Sequence, residues 1–139
     1  MFLLDTNLLS ELRPIPLGRA HPMVKDWSDR HPEELHYLSA MTIYEIELGA
    51  LRKARRDPVQ GKVLRDWIEG AVLPTFADRI LPVDRTIARL AATFHVPNPA
   101  PLADSLIAAT AIVHGLTLVT RNARDFAFPG LAVLNPWEF

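Results

Sequence analysis

Two kinds of apolar patterning alternate along this chain. Short, largely apolar runs at 2–4, 35–39, 80–83, 116–120 and 131–134 have the length of buried strands. Between them, apolar residues recur every three or four positions, the period of a helix with one buried stripe. Residues 7–12 predict a short helix stopped by Pro14 and Pro16. Residues 22–28 carry Met23, Val24 and Trp27 at helical spacing, and 42–55 carry Ile43, Ile46, Ala50 and Leu51 on one stripe. Asp57-Pro58 reads as a helix start, a capping side chain before a proline at the first helical position. The helix it opens holds Val63, Leu64, Trp67, Ile68 and Val72 and ends near Pro74. Residues 85–94 place Ile87, Leu90, Ala91 and Phe94 on one face, and 102–114 predict the most apolar helix, closed by Gly115. The proline-rich segment 96–101 between them reads as a rigid loop. Strands alternating with helices predict an α/β fold with a mostly parallel sheet, in a single domain over 1–139.

Composition narrows the chemistry. Formal net charge is −1, so no overall basic field advertises nucleic acid, and such binding would need a local patch. The absence of cysteine excludes a disulfide scaffold, thiolate zinc sites and a cysteine nucleophile. No apolar run approaches the ~18–20 residues that span a bilayer, and the opening Met1-Phe2-Leu3-Leu4 meets Asp5 at once. A cytoplasmic protein with no membrane partner is expected. The five histidines show no metal-ligand spacing, and dinucleotide, P-loop and serine-hydrolase motifs are absent.

What remains is a set of acids at corresponding places. Ligands of open parallel sheets bind beyond the carboxyl ends of strands. Asp5 directly follows the first strand. Glu45 is expected in the first turn of the helix after the second strand. Asp104 opens the helix leading to the fourth, and Asp125 lies in the loop beyond it with Asn122. Each has a purely structural reading: Asp5 as a helix cap, Thr42 and Glu45 as a capping box, Asp104 at a positive helix end, Asp125 in a turn. Together they point elsewhere. Two carboxylates ~4 Å apart repel by about 4 kcal/mol at an effective dielectric near 20, and a divalent cation among them relieves that repulsion. An all-oxygen donor set suits Mg²⁺ or Mn²⁺, and such sites hydrolyse phosphodiesters with a metal-activated water. Gly49 leaves open space one turn after Glu45, and Ala108 and Ala111 let the Asp104 helix approach the sheet. Glu47 points about 200° away from Glu45 around its helix, so the two cannot share a site. Ser105 could orient a neighbouring carboxylate, but it reads more simply as a solvent-exposed or self-capping serine.

The stretch Phe2-Leu3-Leu4-Asp5-Thr6-Asn7, the block from Ser39 to Glu45, Ala103-Asp104-Ser105-Leu106-Ile107-Ala108-Ala109, and Leu116 to Asn122 through Asp125-Phe126 resemble the PIN domain, in particular VapC-type toxins of the FitB-like subgroup. Val133-Leu134-Asn135-Pro136-Trp137 is similar to that subgroup too. The resemblance implies a three-layer α/β/α fold with a five-stranded sheet. It implies a ribonuclease toxin whose Mg²⁺ or Mn²⁺ is held by Asp5, Glu45, Asp104 and Asp125. Thr6, Asn7, Thr120 and Asn122 support those acids. It also implies a homodimer neutralised by a VapB-like antitoxin. RNA needs cations for its phosphates; Arg13, Arg121 and Arg124 are the nearest to the acids in sequence, while Arg52, Lys53, Arg55 and Arg56 form a basic helix end. Trp27, Trp67, Trp137 and Phe94 read as core or interface residues. Two other functions fit parts of this pattern. A haloacid-dehalogenase-like phosphatase would want a second acid where Asn7 stands, and a catalytically silent PIN-fold module would bind RNA or protein without cutting.

Overall fold

A computed structural model describes residues 1–13 and 20–138. Five strands form one sheet in the order β3-β2-β1-β4-β5, and every pairing is parallel. They are β1 (Phe2–Leu4), β2 (His36–Ser39), β3 (Ile80–Leu81), β4 (Thr117–Val119) and β5 (Val133–Leu134). All but β1 are shorter than their apolar runs. Leu35 ends a 3₁₀ turn instead, and Pro82, with no N–H to donate, follows β3 at once.

The two-residue period of the strands sorts the core into two faces. Leu4, Leu38 and Val119 pack with Leu8, Val24, Trp27, Ile46 and Val72 on one side. Leu3 and Leu118 pack with Ile107, Ala108 and Ala111 on the other. The first face is covered by α1 (Thr6–Leu12), α2 (Pro22–Arg30), α3 (Ala40–Arg56) and α4 (Pro58–Trp67), with a π-helical turn at Ile68–Val72 and the short α5 (Leu73–Thr75) after α4. The second is covered by α7 (Leu102–Val113), against which α6 (Arg85–Thr93) packs through Ile87, Ala91 and Ala109. The result is the expected three layers. Pro14 and Pro16 lie outside the described residues; α1 itself ends at Leu12.

The α4 start and the α7 end follow the expected chemistry, and the α3 start is an exception. Asp57 accepts from the Gln60 N–H at 3.1 Å and Pro58 opens α4. Gly115, at φ +65°, closes α7, with the Leu116 N–H reaching back to the Ala111 carbonyl at 2.8 Å. The exception is α3. Ser39, not Thr42, caps it, accepting from the Met41 N–H at 3.0 Å. The helix therefore starts earlier than its apolar stripe suggests. No Thr42–Glu45 capping box forms, and Glu45 sits in the second turn rather than the first. Sequence pattern marks where a helix begins to bury residues, whereas the cap marks where its hydrogen bonding begins.

Candidate active site

The chain runs from β1 outward to β2 and β3, then crosses back to β4 on the other side of β1. The order reverses between β1 and β4, the place where open α/β sheets form a crevice. Leu4 is in register with Val119, so the next residues, Asp5 and Thr120, face each other at that point. The Asp5 N–H continues the ladder to the Val119 carbonyl at 3.0 Å.

Asp5 is only 6 % exposed, and each of its carboxylate oxygens accepts one hydrogen bond from a neighbour. Oδ1 accepts from the Thr6 N–H at 2.8 Å and Oδ2 accepts from the Thr120 hydroxyl at 2.7 Å. The structural reading of Asp5 as the cap of α1 is therefore true, and it coexists with a place on the acidic edge. Thr120, itself buried, also accepts from the Asn122 N–H at 3.1 Å and from Asn7 Nδ2 at 3.4 Å, which uses the one donor and both acceptor positions of its hydroxyl. Asn7 Oδ1 in turn accepts from the Arg121 N–H at 3.3 Å. Asn122 contributes its backbone and not its side chain to this network.

Glu45 is brought to the same edge by α3. The Thr6 hydroxyl donates to its Oε1 at 2.6 Å and lies 3.4 Å from the Thr42 hydroxyl. Thr6 thus serves two acids, Asp5 through its backbone and Glu45 through its side chain. Thr42 is a member of this cluster that sequence reasoning missed, because its position suggested a cap. Glu47 points elsewhere, to an ion pair with Arg65 that ties α3 to α4.

Asp104 lies in the first turn of α7 and is partly buried. Its carboxyl is pushed up to about 6 by burial first, then by the charges of Asp5, Glu45 and Asp125. Asp5 is also raised, by burial against the opposing hydrogen bonds of Thr120 and Thr6, with Asp125 adding to the rise. Asp125 sits exposed in a 3₁₀ turn, Ala123–Phe126, its N–H bonded to the Asn122 carbonyl at 2.9 Å. The four acids therefore form one electrostatic group. They do not form a closed cage: among the described residues no three of His, Cys, Asp or Glu are gathered closely enough to hold one ion together.

The cations divide. The Arg13 guanidinium lies 5.7 Å from the Trp67 ring centroid, at the end of α1 opposite Asp5. It lines a hollow of about 500 Å³ with Leu9, Leu12, Trp67 and Phe76, to which none of the four acids contributes. Arg121 is beside the acids: Asn135 Nδ2 donates to its carbonyl at 3.1 Å, and its guanidinium lies 5.5 Å from the Trp137 centroid. Arg124 is exposed on the same turn as Asp125. Lys53, Arg55 and Arg56 occupy the last turn of α3, where the helix dipole favours them. Trp27 is buried in the core, and Trp67 and Trp137 pack against that core, while Phe94 packs on Phe128.

The PIN domain profile matches residues 2–129. The chain is 38 % identical over 145 residues to a VapC ribonuclease, Y4jK, of Sinorhizobium fredii, covering 99 % of each. It superposes on the crystal structure of FitAcB from Neisseria gonorrhoeae with a TM-score of 0.86 and 38 % identity, covering 100 % of both chains. A toxin-antitoxin complex from Klebsiella pneumoniae gives a TM-score of 0.67 at 30 % identity, again over 100 % of both chains. The phosphatase alternative has no support, since the residue two places after Asp5 is an amide already bonded to Thr120 and Arg121. From its element order, its acidic edge and its likeness along the whole chain, this protein belongs to the PIN domain family.

Proposed function

We propose that this chain is a divalent-metal-dependent endoribonuclease acting as the toxin of a toxin–antitoxin pair. The observation that carries the proposal is that Asp5, at the point where strand order reverses, is tied through Thr6 to Glu45 of α3, with Asp104 and Asp125 close enough for their charges to act on it or on each other. Membership of the PIN domain family and likeness to a VapC ribonuclease and to a toxin-antitoxin complex support it.

The donor set fits Mg²⁺ or Mn²⁺. It is all oxygen and has excess negative charge, and Mg²⁺ uses only a few carboxylates with water completing its shell. Asp5, Asp104, Glu45 and Asp125 are the residues that would hold the ion, through a shell completed by water rather than as a closed cage. Bound there, it would supply Lewis-acid stabilisation of charge on the phosphoryl oxygens and lower the pKa of water. Thr120 and the Thr6 N–H fix the Asp5 carboxylate, and the Thr6 hydroxyl fixes Glu45, so both acids are oriented before substrate arrives. Arg121, its backbone fastened by Asn7 and Asn135, and Arg124 flank the acids and anchor RNA phosphates. Arg13, at the far end of α1 beside Trp67, is a more distant phosphate contact for the same strand. The chain works in the cytoplasm as a homodimer; among the described residues no helix is long and apolar enough to cross a membrane. A VapB-like antitoxin neutralises it by covering the acidic edge.

The test is RNA cleavage by the purified chain with Mg²⁺, with Mn²⁺ and with EDTA, beside a generic phosphatase substrate. Cleavage that EDTA stops and added Mn²⁺ restores is expected. RNA binding without cutting in either cation would replace this reading with a silent binding module.

A further inference from the structure

α7 carries Asp104 in its first turn, yet nothing caps that helix in the usual way. Its N-cap is Pro101, with no side-chain hydrogen bond to the free N–H groups. The loop before it contains Pro97, Pro99 and Pro101, which have no N–H to tie it down. The first turn is instead braced from inside. Ser105, completely buried, donates its hydroxyl proton to the Leu102 carbonyl at 2.7 Å. With that proton committed, Ser105 Oγ is an acceptor, and it lies 2.9 Å from His95 Nε2. In that arrangement the His95 nitrogen is the donor of the pair. His95 is itself fastened to the end of α6, its N–H bonded to the Ala92 carbonyl at 3.2 Å. The α6–α7 contact runs on through Ile87, Ala91 and Ala109.

We propose that His95 is a positioning residue: a strut from the end of α6 that, through Ser105, holds the first turn of α7 so that Asp104 stays against the other acids. The need for a strut is physical. Asp104 feels the negative charges of Asp5, Glu45 and Asp125, which disfavour its ionised form and its place beside them when no cation is bound. Its turn has no capping side chain to hold it. The His95–Ser105 contact joins the two ends of the proline loop and ties that turn to the end of α6. Neutral imidazole protonated on Nε2 and imidazolium donate equally well here, so the strut does not depend on the charge of His95. An amide placed at the same reach does the same work.

The part concerning the metal rests on the proposed nuclease reading, so the experiment separates the two. Mn²⁺ binding to the full chain is measured by calorimetry without RNA, for wild type, H95A, H95Q, S105A and D104N. Hydrogen exchange of amides 103–106 is followed in the same metal-free proteins. Expected results are Mn²⁺ binding weakened about tenfold in H95A and S105A, near wild type in H95Q, and faster exchange in H95A but not in H95Q. Wild-type Mn²⁺ affinity in H95A, or unchanged exchange at 103–106, overturns the strut. Equal weakening in H95Q and H95A overturns it as well, since the donated hydrogen bond would then not matter. If wild type binds no Mn²⁺, the metal reading falls, and the exchange arm alone decides whether His95 braces α7.

Discussion

Asp5 and Asp104 lie on the same edge and are both removed from water, yet their surroundings are opposite. Asp5 has a hydrogen-bond donor on each oxygen, one from the backbone and one from Thr120. Asp104 has burial and three negative neighbours acting on it, and no hydrogen bond opposing them. One acid is prepared by the protein itself. The other is left under repulsion that a proton or a cation would relieve. The contrast teaches that an acidic edge need not be uniformly organised: one carboxylate has a donor on each oxygen while its neighbour bears burial and repulsion with none.

Substituting the two acids probes the contrast most strongly. D5N and D104N should each lower RNA cleavage by roughly 100-fold or more, as loss of a charge-stabilising group does. Their stabilities should diverge. D104N removes repulsion, so its metal-free melting midpoint at pH 7 should rise by roughly 2–4 °C. D5N removes an acceptor that Thr120 and Thr6 already satisfy, and no rise is expected. Equal midpoints for D104N and wild type by scanning calorimetry would mean that Asp104 is not strained.

The preparation of Asp5 is tested by T120V. It leaves Asp5 Oδ2 and the Asn122 N–H without their partner and should lower cleavage about tenfold in steady-state assays. A T120V enzyme with wild-type kcat would show that Asp5 needs no preparation.

The repulsion on Asp104 is tested by pH. The carboxyl of Asp104 is raised in the folded chain, to about 6, so the folded state binds more protons than the unfolded one between the ordinary aspartate value and 6. Stability of the metal-free protein therefore falls as pH rises through that window. Lowering pH from 7 to 5 should raise the midpoint of wild type more than that of D104N, while Mn²⁺ binding weakens because protons compete for the same oxygen. A midpoint that moves identically in both proteins would assign the titration to another group.

The smallest effect is expected for E47Q. Glu47 pairs with Arg65 at a partly exposed α3–α4 contact, away from both acids. Cleavage should stay within about twofold, and the melting midpoint should barely move, as for an ion pair open to solvent. A large loss of activity would place the wrong glutamate of α3 on the acidic edge.

Much of this arrangement is legible in the sequence because it is local. Apolar runs and helical stripes mark β1, α2, α6 and α7, and with them the layer order, since each depends on residues a few positions apart. Asp5 and Asp104 are found by their places beside strand and helix ends for the same reason. What tertiary structure alone decided is who touches whom. Thr6 bonds Glu45 rather than only supporting Asp5, and Thr42 joins that cluster because Ser39 takes the cap. Arg13 turns to Trp67 while Arg121 is fastened beside the acids by Asn7 and Asn135. His95 reaches Ser105 across a loop of prolines. A hydrogen bond is set by distances of a few tenths of an ångström between side chains that the fold brings together, and no period or spacing along a chain encodes that.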